Sequence, residues 1–340
     1  MRSHLRVGLR RWGDECAAPD VTATKTEESA MIEVRSLSKT YPGGVEAVRG
    51  IDFDVGAGEV FGLLGPNGAG KSTTVGMLTT TIRPTAGTAR LGGFDVATEP
   101  LRARSISSVV FQDPVVDRVL TGRRHLDLHA RLWGVDSAAA RARIDELADA
   151  LGLANLLDRP LAGYSGGERR RLEIARALVS DPRVLFLDEP TVGLDPRIRH
   201  ELLDVVAALR SRRDMTVLVT THYLDEAERL CDRVAIIHAG RIVALDTPDA
   251  LLAGLGHEIV ELRVAGDPGS ALARLRARDV AGSDAFAVGA TVTVPLHDRG
   301  AGDAIAAIHR LGVAQTIGAR KPTLDDVYLR LTGDRLAEVA

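Results

Sequence analysis

From Met31 the chain alternates apolar and polar positions (Met31-Ile32-Glu33-Val34-Arg35), and Ile51 to Val55 repeats the pattern after the turn signal Pro42-Gly43-Gly44. With Gly56-Ala57-Gly58 as the next turn, this opening stretch predicts an antiparallel sheet. Glu59 to Leu64 is an apolar strand that runs into a glycine-rich turn, and Ser72 to Ile82 continues as a helix with Val75, Leu78 and Ile82 on one side. Residues 114 to 163 then change character. Leu120 to Trp133 and Ala138 to Leu151 carry helical periodicity with no strand between them, which predicts a helical insert. Beyond it the chain alternates again: a helix near 166 to 179, a buried strand Val184 to Leu187, a helix Arg197 to Arg210, a strand Thr216 to Thr220, a helix Leu224 to Leu230 and a hairpin through Ala239-Gly240. That rhythm predicts a mostly parallel sheet covered by helices. From about Leu255 a second, smaller α/β unit follows. Its expected elements are a strand Glu258 to Val264, a helix Ser270 to Arg278, strands near 285 to 295, a helix Ala304 to Leu311 and a last helix Leu324 to Leu331.

Composition narrows the class. A chain of 340 residues with 45% hydrophobic and 26% charged positions has material for about two cores, which excludes a disordered or collagen-like protein. The longest apolar runs are strand-sized, so the chain is expected to span no membrane by itself. A formal charge of -3 offers no global attraction to nucleic acid or anionic lipid. Cys16 and Cys231 stand far apart, without the spacing of a disulfide framework or a cysteine metal site, and the chain reads as cytoplasmic. Residues 1 to 30 show neither a periodic apolar face nor a signal-peptide core and are expected to be a disordered extension.

Four segments carry chemistry. Gly65-Pro66-Asn67-Gly68-Ala69-Gly70-Lys71-Ser72 lies between a strand and a helix and matches the phosphate-binding loop at every fixed position. Its backbone N–H groups can cradle phosphate, Lys71 can reach the β and γ phosphates, and Ser72 can ligate Mg²⁺. The strand Val184 to Leu187 ends in Asp188 and Glu189, two acids that divide between holding the Mg²⁺ shell and orienting or deprotonating an attacking water. Thr216 to Thr220 delivers His222 to the same sheet edge, where it can donate a hydrogen bond to a γ-phosphate. Gln112, at the entry to the helical insert, offers a side chain that could touch both the metal shell and the insert.

Tyr164-Ser165-Gly166-Gly167-Glu168 decides the class. Ser165 and Glu168 have capping-box spacing, so a helix begins beside two glycines that let an anion approach its N–H groups. A chain that already has one phosphate loop makes best use of this second site by capping a nucleotide held by another subunit. The neighbouring Arg169-Arg170-Arg171 reads as a solvated or interdomain face rather than a nucleic-acid surface.

With these segments in order over residues 31 to about 245, the chain resembles the ATP-binding cassette (ABC) ATPases, the nucleotide-binding subunits of transporters. In that family's terms Gly65 to Ser72 with Thr73 resemble the Walker A motif, Gln112 the Q-loop, Tyr164 to Glu168 the signature and Val184 to Asp188 the Walker B strand. Glu189 matches the catalytic carboxylate, Gly193-Leu194-Asp195 the D-loop, His222 the switch histidine and Tyr41 the aromatic that stacks on adenine. The signature departs from the commonest form in having Tyr164 for leucine and Glu168 for glutamine. Phe111-Gln112-Asp113-Pro114, Leu120-Thr121-Gly122 and the tail Lys321 to Tyr328 are similar to the daunorubicin and doxorubicin resistance type of ATP-binding subunit.

The resemblance implies an α/β P-loop NTPase fold over residues 31–245, with a RecA-like core, an antiparallel β subdomain and a helical subdomain at about 114–163. Residues 255–335 would form a small accessory α/β domain. It implies ATP and Mg²⁺ as ligands, with Ser72, Gln112 and Asp188 around the metal. It also implies a head-to-tail dimer in which Ser165, Gly166, Gly167 and Asp195 complete the partner's site, and a separately encoded membrane permease at the cytoplasmic face. Drug export would be the work done. The rival readings are a soluble ABC-type ATPase acting on DNA or ribosomes and a regulatory nucleotide switch. Lys71 and Ser165 lie too close in sequence for a long intervening coiled coil, only one cassette is present, and no Asn-Lys-x-Asp guanine-reading segment occurs.

Overall fold

The computed structural model describes residues 30–113, 117–213 and 215–333, with the backbone alone for 209–213. All but the last residue of the extension expected at 1–30 lies outside these limits, as does 114–116 of the insert. The first part of the chain contains β1 (Ile32–Thr40), β2 (Glu46–Val55), β3 (Val60–Leu64), α1 (Lys71–Leu78), β4 (Ala86–Leu91), β5 (Phe94–Asp95), α2 (Pro100–Ser105) and β6 (Ser107–Val110). Next come α3 (Gly122–Leu132), α4 (Ser137–Ala150), α5 (Gly166–Val179), β7 (Val184–Asp188), α6 (Pro196–Arg213), β8 (Thr216–Thr221), α7 (Leu224–Leu230), β9 (Arg233–His238), β10 (Arg241–Asp246) and α8 (Pro248–Ala253). The last part has β11 (Glu258–Arg263), α9 (Pro268–Arg276), β12 (Phe286–Val288), β13 (Thr291–Leu296), α10 (Ala301–Leu311), β14 (Thr316–Arg320) and α11 (Leu324–Thr332).

The central sheet has the order β10-β9-β3-β8-β7-β6, parallel except for β10. Every residue of β3, β7 and β8 is buried, as expected of parallel strands covered on both faces. Alternate side chains serve two cores. Val60, Leu64, Leu185 and Leu187 join the core built with α3 to α7, while Phe61, Leu63, Val184 and Phe186 join the one shared with β1, β2, β4 and α1. The strand pattern thus fixes which layer covers each face.

The expected antiparallel sheet is β2-β1-β4-β5, in which the sequence pattern announces β1 and β2 but not β4 and β5. β4 reads Ala-Gly-Thr-Ala-Arg-Leu and buries only Ala89 and Leu91, too few apolar positions to announce a strand. α1 stops at Leu78 rather than Ile82. The Thr79 hydroxyl donates to the Val75 carbonyl (2.8 Å), the Thr81 hydroxyl donates to the Gly76 carbonyl (3.0 Å), and Thr80 takes a left-handed backbone with φ +62°. Side chains that bond back to the helix's own carbonyls close it early.

The third sheet, β12-β13-β11-β14, is antiparallel and shares a core with α9 and α10. α11 leaves that core. Leu324, Val327 and Tyr328 join the core of the helical side of the central sheet, the Leu324 N–H donates to Glu228 (2.8 Å), and the Tyr328 hydroxyl lies 2.9 Å from His238 Nδ1. The tail motif therefore packs against α7, which begins two residues after His222.

Candidate nucleotide site

Parallel register sets Asp188 beside Thr220 and Leu64 beside Thr221. Gly65, Glu189 and His222 therefore leave the sheet side by side at its carboxyl edge, where open α/β sheets bind ligands.

The loop after β3 is shaped by close approaches. A Cβ on Gly65 would fall 2.2 Å from the Ile237 carbonyl oxygen. Gly70 has φ +111°, and a Cβ there would lie 2.5 Å from the Ala47 carbonyl oxygen, so only glycine serves. The Ala69 N–H donates to the Pro66 carbonyl (3.2 Å), which leaves Asn67 and Gly68 exposed at the crest. Lys71 opens α1 and is 4% exposed. Its ammonium donates to the carbonyls of Gly65 (2.7 Å) and Pro66 (3.1 Å) and pairs with Glu189 Oε1 at 2.9 Å.

Glu189 is the electrostatic centre of the edge. Its other oxygen, Oε2, lies 3.2 Å from His222 Nδ1, close enough to ion-pair although not aligned as a hydrogen bond. Burial pushes the Glu189 carboxyl up, but His222 and Lys71 together outweigh it and hold the group below the usual carboxylate range. The backbone here is left-handed, with φ +46° at a non-glycine residue, a geometry that costs about 1–3 kcal/mol and persists only where neighbours hold it. The Thr220 hydroxyl and carbonyl both accept from the Glu189 N–H, at 3.0 and 3.1 Å.

Asp188 Oδ1 accepts from the Ser72 hydroxyl (3.2 Å) and the Thr220 hydroxyl (2.6 Å). Ser72 and Asp188 thus present hard oxygen donors to one another, the donor set that suits Mg²⁺. His222 Nε2 is buried and has no hydrogen-bond partner among the described residues, which fits a group that receives a phosphate oxygen. The Tyr41 hydroxyl lies 3.4 Å from that of Thr73, joining the aromatic ring to the start of α1. Gln112, exposed past β6, makes no hydrogen bond to Ser72 or Asp188 among the described residues. The structure does not bring it into that pair.

The Ser165 corner forms a complete capping box: the Glu168 N–H donates to the Ser165 hydroxyl (3.2 Å), and the Ser165 N–H donates to the Glu168 carboxylate (2.7 Å). That bond to the Ser165 backbone holds the Glu168 carboxyl below its ordinary value. The two glycines differ. Gly166 is exposed, but Gly167 is buried, and a Cβ on it would lie 2.6 Å from Ile198 of α6. Gly167 thus lets α5 pack closely against α6. Asp195 is exposed and caps α6 by accepting from the Ile198 N–H (3.0 Å). Tyr164 is 4% exposed and donates to the Leu156 carbonyl (2.5 Å), so its hydroxyl anchors the insert.

Arg170 corrects the reading of the arginine run as a solvated or interdomain face. It is 5% exposed, and its guanidinium lies inside, against the ends of β6 and β7. Helical rotation separates it from Arg169 and Arg171, which stay half-buried. Thr220 was also missed. Its signal is a hydroxyl in an apolar strand, which the register sets directly beside the metal-shell acid.

Comparison with known proteins agrees with this geometry. The family model described as ABC transporter matches residues 48–192. The chain is 44% identical, over 93% of its length and 97% of the relative's, to the daunorubicin/doxorubicin resistance ATP-binding protein DrrA of Streptomyces peucetius. It is 39% identical to the Nod factor export ATP-binding protein I of Burkholderia orbicola, over 91% of this chain and 99% of that one. Among solved structures, CbiO1 of Clostridium perfringens, part of the ABC transporter complex cbiONQ, is similar with a TM-score of 0.62. That likeness has 28% identity and covers 66% of this chain and 91% of that one.

Proposed function

This chain belongs to the ABC transporter family as an ATP-binding subunit with ATPase activity, and on that premise we propose that it works as a head-to-tail dimer driving drug export through a separately encoded permease. The Lys71–Glu189–His222 chain at the sheet edge carries the catalytic half of this reading.

Phosphate oxygens entering the loop compete with Glu189 for the Lys71 ammonium. As Lys71 turns to phosphate, Glu189 loses one of the two neighbours that depress its pKa, and burial, which acts the other way, gains weight. The carboxylate becomes a stronger base when water is in position to attack. His222 donates to the γ-phosphate. Ser72 and Asp188 would hold Mg²⁺, which would neutralise charge on the phosphate oxygens.

The second wall comes from the partner copy. Its exposed Gly166 and the free end of α5 meet the γ-phosphate of this chain's ATP, so the triphosphate closes the dimer and phosphate release opens it. Residues 31–245 act as the nucleotide-binding domain. The insert near 114–163, with Gln112, passes the motion to the permease at the cytoplasmic face, and residues 255–335 are an accessory unit. No helix among the described residues is long and apolar enough to cross a membrane. The likeness to a daunorubicin/doxorubicin resistance protein supports a hydrophobic drug as cargo.

The test is co-expression with the separately encoded permease in a drug-sensitive bacterium. Cells carrying the intact pair should accumulate less daunorubicin than cells carrying the Glu189→Gln chain with the same permease. Equal accumulation contradicts export of this class of compound.

A further inference from the structure

The guanidinium of Arg170 makes a complete set of contacts. Nη1 donates to the Phe111 carbonyl (2.5 Å) and to Glu173 (3.0 Å), Nε donates to the Pro190 carbonyl (2.7 Å), and Nη2 donates to the carbonyls of Asp188 and Glu189 (3.2 Å each). An arginine side chain has no further N–H groups to give. Its charge is balanced within the same helix by Glu173, which is 1% exposed. Four of the five acceptors are backbone carbonyls from two other segments. One is the residue before Gln112, and three run consecutively through the left-handed turn at Glu189.

We propose that Arg170 is a positioning residue that couples the two nucleotide sites of the dimer, by fixing the Ser165 end of α5 to the Glu189 turn and to the base of the Gln112 segment. The inference rests on the composite dimer proposed above. Within one chain, the Ser165 corner serves the partner's ATP and Glu189 serves its own. Arg170 lies on the second turn of α5, so a movement of that helix end on the partner's nucleotide is delivered through a rigid, planar fork to the backbone that holds the base. The same fork holds Phe111 (through Nη1), so Gln112 and Glu189 shift together. A lysine keeps the charge opposite Glu173 but cannot span acceptors on two segments at once.

Two variants test this in the full-length chain: Arg170→Lys, and the paired Arg170→Met/Glu173→Met, which removes both buried charges together so that neither is left unpaired. Binding of a trinitrophenyl-ATP probe reads the loop, and turnover against ATP concentration gives kcat and the Hill coefficient. Affinity should stay within about threefold in both variants, since the Lys71 loop is untouched, while kcat falls by roughly tenfold to a hundredfold. The Hill coefficient should fall from the wild-type value toward one. Wild-type cooperativity together with ATP-dependent dimerisation of the Glu189→Gln chain tests the dimer separately, and failure of both sinks that reading and the coupling with it. If both hold, then variants that keep cooperativity, keep kcat within about twofold, or lose affinity in step with kcat overturn the role of Arg170 alone.

Discussion

Glutamine in place of Glu189 should lower ATP turnover by roughly 10²-fold or more, the scale of a general-base contribution, without abolishing ATP binding. The substitution keeps the shape of the side chain and its backbone bonds to Thr220 and Arg170, so the left-handed turn stays in place. What it removes is the carboxylate charge that lies between Lys71 and His222 at the sheet edge. Lys71, released from that ion pair, is free to bind phosphate, so ATP affinity should hold or rise. With cleavage blocked, the proposed dimer should stay bridged by the triphosphate and accumulate in its closed form. Turnover at the wild-type rate would remove Glu189 from the chemistry, and size-exclusion chromatography with ATP would show whether the dimer is trapped.

Alanine at Lys71 acts on the opposite step. The ammonium is held by two loop carbonyls at the position from which it can reach phosphate, and it is almost wholly buried. Losing a charged hydrogen-bond donor of this kind should weaken ATP binding by roughly tenfold to a hundredfold. Glu189 then keeps only His222 of the two side chains that hold its pKa down, so the variant should also have a higher carboxyl pKa than the wild type. Equilibrium binding of a fluorescent ATP analogue measures the first effect. Unchanged affinity would mean that the loop does not cradle phosphate.

Much of this site could be read before any coordinates, because its chemistry is concentrated in short segments at element ends. Gly65 to Ser72 sits between a strand and a helix, and Asp188 and Glu189 end an apolar strand, so pattern and position pointed to the same edge. Properties that depend on which way a residue faces were not legible. Arg170 differs from its two neighbours only by its angle around α5, and a run of three arginines hides that angle. Gly167 looked like a place for an anion to approach, but its partner is Ile198, distant in sequence on α6. β14 is mostly exposed and shows no apolar alternation; its pairing with β11 defines it. Likewise, α11 could be read as a helix, but its side chains go to the core beside α7 rather than to the sheet that precedes it.

The most direct measurement mixes two defective chains. In the proposed dimer Ser165→Arg would spoil the wall lent to the partner and leave the chain's own Lys71 loop intact, whereas Lys71→Ala would do the reverse. A mixed dimer then pairs one intact loop with one intact Ser165 corner across the interface. ATP turnover of the mixture should rise clearly above that of either chain assayed alone. A mixture no faster than its components would contradict a nucleotide shared between two copies of this protein.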